Sequence, residues 1–236
     1  MARRSFKAGA LTAPLPPVMV TVGDMENSNV LTIGWTGILS TIPPRTYISV
    51  RPQRHSYKLL KSTGEFVINL TTASQAKTVD YVGIYTGAKV DKFKECKLTK
   101  VASKEVSAPT IAECPLALEC RVIEVIPMGT HDVFIADIVS VSCDDSILDD
   151  AGKIRFDKAG LMAYAHGEYF ALGEKLGKFG FSTDKPGKKH EQTKKTEPVS
   201  KEKKENKAVE ENKKRPFYLD APRGKGNKSK GKGKKR

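Results

Sequence analysis

Residues 30–57 read VLTIGWTGILSTIPPRTYISVRPQRHSY, and the fold is decided there. The turn signal Asn27-Ser28-Asn29 precedes a run of apolar and β-branched side chains, which predicts a strand over residues 30–35. Residues 45–51 alternate Tyr47 and Ser49 against Thr46, Ile48 and Val50, the period of two expected of a second strand. The spacing then changes. Tyr57, Leu60 and Lys61 fall three and four apart, predicting a helix over residues 56–63 with Ser56 placed to cap its start.

Working outward gives more strands. Residues 18–22 form a short apolar run after Pro16-Pro17, and residues 65–70 (EFVINL) follow Gly64, a helix stop. Residues 74–82 predict a second helix, with Ser74 as cap and Ala76, Val79 and Val82 on one face. Residues 116–126 and 131–143 read as two long strands joined by the loop Pro127-Met128-Gly129-Thr130. Asp149-Asp150-Ala151-Gly152 reads as a further turn, and short helical pieces are expected near Leu161 and at 173–176. Six or seven strands without βαβ alternation or an internal repeat predict a mainly β domain, a barrel with short helical excursions, and not a Rossmann sheet.

Charge divides the chain. Residues 184–236 hold 20 Lys and Arg against 8 Asp and Glu, a net of +12, which leaves 21 basic and 19 acidic residues before Asp184. The basic character therefore belongs to the C-terminal segment. Its sizeable apolar side chains are Val199, Val209, Phe217, Tyr218 and Leu219. Burying these cannot offset an ordering entropy of roughly 1–2 kcal/mol per residue. Two parts are expected: one folded domain over residues 1–183, and a lysine-rich disordered tail over 184–236. Residues 1–7 are basic, but prolines break the stretch after them, so no secretory h-region is expected. No apolar run approaches the roughly 20 residues that span a bilayer, so a cytoplasmic protein without membrane contact is expected. Cys96, Cys114, Cys120 and Cys143 are widely spaced and read as reduced thiols; with His55, His131 and His166 they show no metal-ligand spacing.

The chemistry concentrates in residues 32–57. Arg51 and Arg54 offer forked donors that match phosphate oxygens, and Ser56 lies at a helix start, where unpaired N–H groups favour an anion. Gly34 and Gly37 let backbone approach a ligand, and Trp35 supplies an aromatic plane. A phosphorylated, planar ligand fits this pattern. So does an ordinary surface loop beside a core tryptophan, and composition alone leaves both open.

The ordered series NVLTIGWTG, Pro43-Pro44, TYISVRP, RHSY, GEFVINL, VDYVG, VDKF, LECRV, GTHDVFIADIV and LGEKLGKFGFS resembles the flavin reductase-like family, most closely its flavoredoxin branch. The likeness runs from residue 14 to 182. It implies an FMN-binding split β-barrel working as a homodimer, with the flavin near the subunit interface. Gly34, Trp35 and Thr36 resemble the segment along the isoalloxazine and ribityl chain; Val50, Arg51, Arg54, His55 and Ser56 resemble the phosphate-side loop. Asn69 and Lys92 would flank the pocket, although Asn69 also reads as a strand-end residue pairing with backbone, and Lys92 as a solvated loop charge. His131 resembles the family's catalytic histidine near the flavin face and the nicotinamide position. Where many flavin reductases carry small hydroxyl or thiol residues, this chain has Gly34-Trp35; Trp35 would narrow the site, which makes a bound flavin used for electron transfer as plausible as a flavin substrate. The resemblance thus implies an oxidoreductase passing electrons from NAD(P)H or a redox carrier protein through FMN, or a flavoredoxin-type carrier without NAD(P)H activity. A flavin-free relative using the barrel for another ligand is the remaining alternative.

The sequence GKGNKSKGKGKKR at the C-terminus is a polycation suited to nucleic-acid backbones. Truncation after Ser182 is expected to abolish filter-binding retention of RNA or DNA. For the full chain, affinity should drop by about a thousandfold or more between roughly 50 and 200 mM salt if six or more phosphates are engaged. Equal retention by the truncated chain would refute the tail reading.

Overall fold

A computed structural model of the chain describes residues 2–183. The expected disordered tail, residues 184–236, lies outside the described residues. Met1–Leu176 form one compact unit, and the described part of the second carries a 3-10 turn at Phe181–Thr183.

The elements in chain order are β1 (Val18–Gly23), β2 (Ser28–Ile33), β3 (Thr36–Thr41), β4 (Pro44–Val50), α1 (His55–Thr63), β5 (Glu65–Asn69), α2 (Ala76–Ile84), α3 (Lys92–Glu95), β6 (Lys100–Val101), β7 (Thr110–Ile111), β8 (Leu116–Pro127), β9 (Asp132–Cys143), β10 (Met162–Ala165) and β11 (Glu168–Ala171). Seven strands make one antiparallel sheet in the order β2-β1-β5-β8-β9-β4-β3, with β6-β7 and β10-β11 as separate hairpins. Only Gly34 and Trp35 join β2 to β3, yet these strands occupy opposite ends of the order. The sheet curls into a barrel, and the Ser49 N–H donates to the Trp35 carbonyl at 3.0 Å, carrying the β3–β4 ladder one step into the corner.

Alternating side chains fill the barrel. Val18, Val20 and Val22 of β1 pack with Leu31 and Ile33, Ile48 and Val50, Phe66 and Ile68, Cys120, Phe134 and Ala136, and Leu60 of α1 closes one end. The opposite faces of β1 and β2 offer Met19 and Val30 to Val79 and Val82 of α2 and to Phe93 of α3. With both faces covered, all six residues of β1 are buried. The long pair β8–β9 shifts register after Glu119 and again after Val122, the bulges that let twelve-residue strands bend around the core.

Local chemistry sets the boundaries. Gly64 ends α1 in the left-handed region (φ 66°), its N–H returning to the Leu60 carbonyl at 3.0 Å. The first strand of the quoted stretch stops at Ile33, and β3, a strand that alternation did not reveal, opens at Thr36 with β4 as its partner. Ser56 does not cap α1: Arg54 occupies that position without a side-chain bond, and the buried Ser56 hydroxyl accepts from Asn29 Nδ2 at 2.7 Å. Nor does Ser74 cap the next helix. Thr72 and Gln75 form a capping box around a 3-10 turn that leads into α2. The helical pieces expected near Leu161 and at 173–176 are absent. The first region is the hairpin β10–β11, turning at His166-Gly167 with both residues at positive φ (49° and 98°), and residues 173–176 adopt no regular structure. Met162 and Ala163 are buried against the barrel in extended chain, so packing overrides the helical pattern there.

Candidate functional site

The cleft opens at the seam, where β2 leaves β1 for the corner and β4 runs into α1. It encloses about 380 Å³, within the roughly 300–1,000 Å³ usual for small-molecule sites. Gly34, Trp35, Val50, Arg51, Arg54 and His131 line it, so six of the candidates come together. Gly34 leaves room: a Cβ there would meet only the Leu15 side chain, at 3.9 Å.

Charge and ring planes converge on this cleft. Arg51 Nε donates to His131 Nε2 at 3.3 Å, and the Thr130 hydroxyl lies 2.9 Å from His131 Nδ1. An imidazole accepting at Nε2 is neutral and carries its hydrogen on Nδ1. Burial, followed by the charges of Arg51 and Arg54, holds the His131 pKa below its ordinary value, in keeping with that tautomer. The Trp35 and His131 rings stand 4.7 Å apart. Arg54 Nη1 donates to the Gly83 carbonyl at 2.9 Å, tying the loop before α1 to the end of α2. The Tyr57 hydroxyl donates to Asp132 Oδ2 at 2.5 Å, so α1 and the hairpin bearing His131 are fastened directly together. Asp132 thus works as a brace.

The other candidates sit outside the cleft. The Thr36 hydroxyl donates to the Tyr47 carbonyl at 2.6 Å within the β3–β4 pair, and His55 is exposed at the first position of α1. Asn69 does not flank the cleft. It is fully buried; Nδ2 donates to the Met19 carbonyl at 3.1 Å and Oδ1 accepts from the Ile111 N–H at 2.9 Å, so its amide joins strands. Lys92 is neither a pocket residue nor a solvated charge. Its side chain is buried, and Nζ donates to the carbonyls of Val30 and Val82, both at 2.8 Å. Leu15, Tyr164 and Tyr169 also line the wall without having been singled out from sequence. Their signal was weak, because Leu15 and Tyr164 meet through a bridge between distant parts of the chain, and Tyr169 follows from the β10–β11 hairpin. Among the described residues no three His, Cys, Asp or Glu are placed to hold a metal, and no helix is long and apolar enough to cross a membrane.

Residues 11–173 match the flavin reductase like domain, and the chain belongs to that family. Its fold is the split β-barrel. It is similar to the flavoredoxin of Desulfovibrio vulgaris (Miyazaki F), with 31% identity, 78% of this chain and 100% of that chain covered, and a TM-score of 0.72. A flavoredoxin from Methanosarcina acetivorans shares the fold at 24% identity, with 75% and 96% covered and a TM-score of 0.68. An uncharacterised protein of Archaeoglobus fulgidus is 34% identical over 143 residues, spanning 61% of this chain and 80% of the relative.

Lys92 yields a pH test. Burial, then the charge of Arg54, lowers its pKa to about 8 from the ordinary 10.5. A neutral amine has two hydrogens for its two carbonyl partners; the third hydrogen of the ammonium form has no acceptor among the described residues. Above pH 8 the folded chain gives up a proton that the unfolded chain keeps until about 10.5, so Lys92 makes stability rise with pH across that window. Urea melts should show the wild type gaining on the order of 2 kcal/mol relative to Lys92→Met between about pH 8 and 10. A constant difference between the two proteins would refute this.

Proposed function

We propose that the seam cleft binds FMN and that the chain is a flavin-dependent oxidoreductase of the cytoplasm, moving electrons from NAD(P)H or a redox carrier to an acceptor. The carrying observation is the convergence of two guanidinium groups, a tryptophan plane and a neutral histidine on one cleft. The donor set fits the cofactor. Arg51 and Arg54 supply fixed charge for a phosphate, and α1 begins beside them with no side chain capping its N–H groups. Gly34 and Trp35 offer bare backbone and an aromatic surface for a ring. The similarity to a flavoredoxin supports the same reading.

Bound FMN would supply the hydride and single-electron chemistry. The chain's part is to bind and orient. Arg51 and Arg54 would hold the phosphate end, beside the start of α1 at His55 and Ser56, while Trp35 and the backbone of Gly34 would flank the ring. Val50 packs beneath them. His131 marks the side from which an electron donor approaches; Arg51 occupies its Nε2, and Tyr57 and Asp132 keep its hairpin in place.

Arg51→Ala and Arg54→Ala should each weaken FMN binding by roughly ten- to a hundredfold, the worth of a charge-assisted contact. Fluorescence titration of FMN measures this. Anaerobic NADH and NADPH added to the FMN-loaded chain should bleach the flavin band with at least one donor. Binding without bleaching by either would identify a flavoredoxin-type carrier, and absence of FMN binding would overturn the proposal.

The same reading includes a homodimer. β3 is an edge strand, and Ile38 and Leu39 along it and Ile42 in its turn to β4 are 64%, 50% and 80% exposed. Ile38→Asp with Ile42→Asp should convert the dimer to monomer in size-exclusion chromatography with light scattering. A dimer surviving both changes would place the interface elsewhere.

A further inference from the structure

Helix α1 leads away from the seam cleft along a line of positive charge. Arg54, Lys58 and Lys61 stand four and three residues apart, on one face of the helix, and all three are exposed. Ser56 and Leu60 supply the buried face. Arg51, on the cleft wall, extends the line at the end where Arg54 stands. Like charges at such spacing disfavour a helix, and nothing in the fold offsets them: the ion pairs among the described residues lie elsewhere, and none takes in these four side chains. The imbalance is regional. Residues 27–64 hold five basic side chains and no carboxylate, whereas residues 65–183 hold 13 basic against 17 acidic.

Beside this line lies an apolar patch. Arg54 Nη1 donates to the Gly83 carbonyl, which places the next two residues, Ile84 and Tyr85, beside the guanidinium. They are 67% and 47% exposed, and Tyr85 stacks on Tyr81 with ring centroids 4.2 Å apart. Two carboxylates border the tyrosine pair: Asp80, which accepts from the Tyr169 hydroxyl at 3.3 Å, and Glu95, whose charge reaches Tyr81. A small apolar centre with a stacked aromatic, rimmed by charge of one sign, is the anatomy of a protein interface; the centre supplies affinity and the rim steers association. The phosphates of a nucleic acid have nothing to bury against Ile84, whereas an apolar side chain of a protein does.

We propose that this face, with Ile84 and Tyr85 at its centre and Arg54, Lys58 and Lys61 at its rim, docks an acidic electron-carrier protein at the mouth of the seam cleft. Carboxylates around the carrier's redox centre match the rim. Arg51 and Arg54 belong to the cleft wall as well, so docking brings the carrier to the opening of the cleft. In each encounter one electron leaves the reduced carrier, which is thereby oxidised, and enters the cofactor of the cleft. Electron-transfer encounters of this kind bury little surface, under about 1,200 Å², and charge governs how fast they form. The nature of the partner rests on the redox reading of the cleft; the docking surface itself does not.

An acidic plant-type ferredoxin is the probe, titrated calorimetrically into the full chain with and without FMN. Lys58→Glu combined with Lys61→Glu should weaken its binding by roughly tenfold or more, and Tyr85→Ala by a similar factor. Lys153→Glu combined with Lys158→Glu makes the same charge change in the loop after β9, at the end of that strand away from Val50, and should alter binding less than about twofold. FMN affinity should be the same in all of these variants. No binding by the wild type, equal loss in the two charge pairs, or intact binding by either patch variant would overturn the proposal. A matching loss of poly(U) RNA binding in both patch variants would reassign the face to nucleic acid and overturn it too. Docking on a chain that takes up no FMN would overturn the flavin reading and leave the surface standing; FMN uptake without docking would do the reverse.

Discussion

The two-residue link Gly34-Trp35 is the constraint on which the rest depends. Three Cα steps, from Ile33 to Thr36, reach at most about 11 Å. A flat sheet of seven strands would set its two edges roughly 29 Å apart. Since β2 and β3 are those edges, the sheet has to curl until they meet. Closure is a consequence of chain connectivity, and the valines, Phe66 and Phe134 of the interior occupy the space that closure encloses. The bulges of β8–β9 bring the curvature about on the far side.

The corner that closes the barrel also makes its cleft. Where the chain abandons β1 and takes up β4, the ladder is interrupted: the Trp35 carbonyl is taken by the Ser49 N–H, and the backbone of Gly34 lies beside the end of β4 with room for a ligand. The guanidiniums follow because Arg51 is the next residue beyond β4 and Arg54 immediately precedes α1. His131 arrives from 80 residues away, since Val50 pairs with Asp132 in the β4–β9 ladder and so brings the β8–β9 turn to the same end. Asn69 and Lys92 serve this arrangement indirectly. The first fastens β1 and β5 to β7, and the second fastens β2 to α2, so both walls are held by saturated polar groups.

Much of this could be read from the residues. Apolar and β-branched runs marked β1, β2, β5, β8 and β9, alternation marked β4, and Gly64 and Gly129 marked two of the turns, because local sterics write those features locally. The residues near Arg51 were legible for the same reason. The edge strand β3 was not, since its partner, and not its own alternation, makes it a strand. The hairpin β10–β11 was misjudged as helical because its extended form comes from burying Met162 and Ala163 against distant elements. Asn69 and Lys92 show the same limit: a side chain's type says it needs partners, and only the fold says whether those are a ligand or carbonyl groups of the chain itself. Tyr164 and Tyr169 reach the cleft by a contact more than a hundred residues long, for which no short motif exists.

Trp35 is the chain's only tryptophan, and it occupies the corner itself. Ultraviolet emission excited at the red edge therefore comes from one known position, on the wall of the seam cleft and 4.7 Å from an imidazole. The protein carries a built-in optical gauge: its intensity follows the joining of the barrel's two edges, and a flavin seated alongside would drain it by energy transfer.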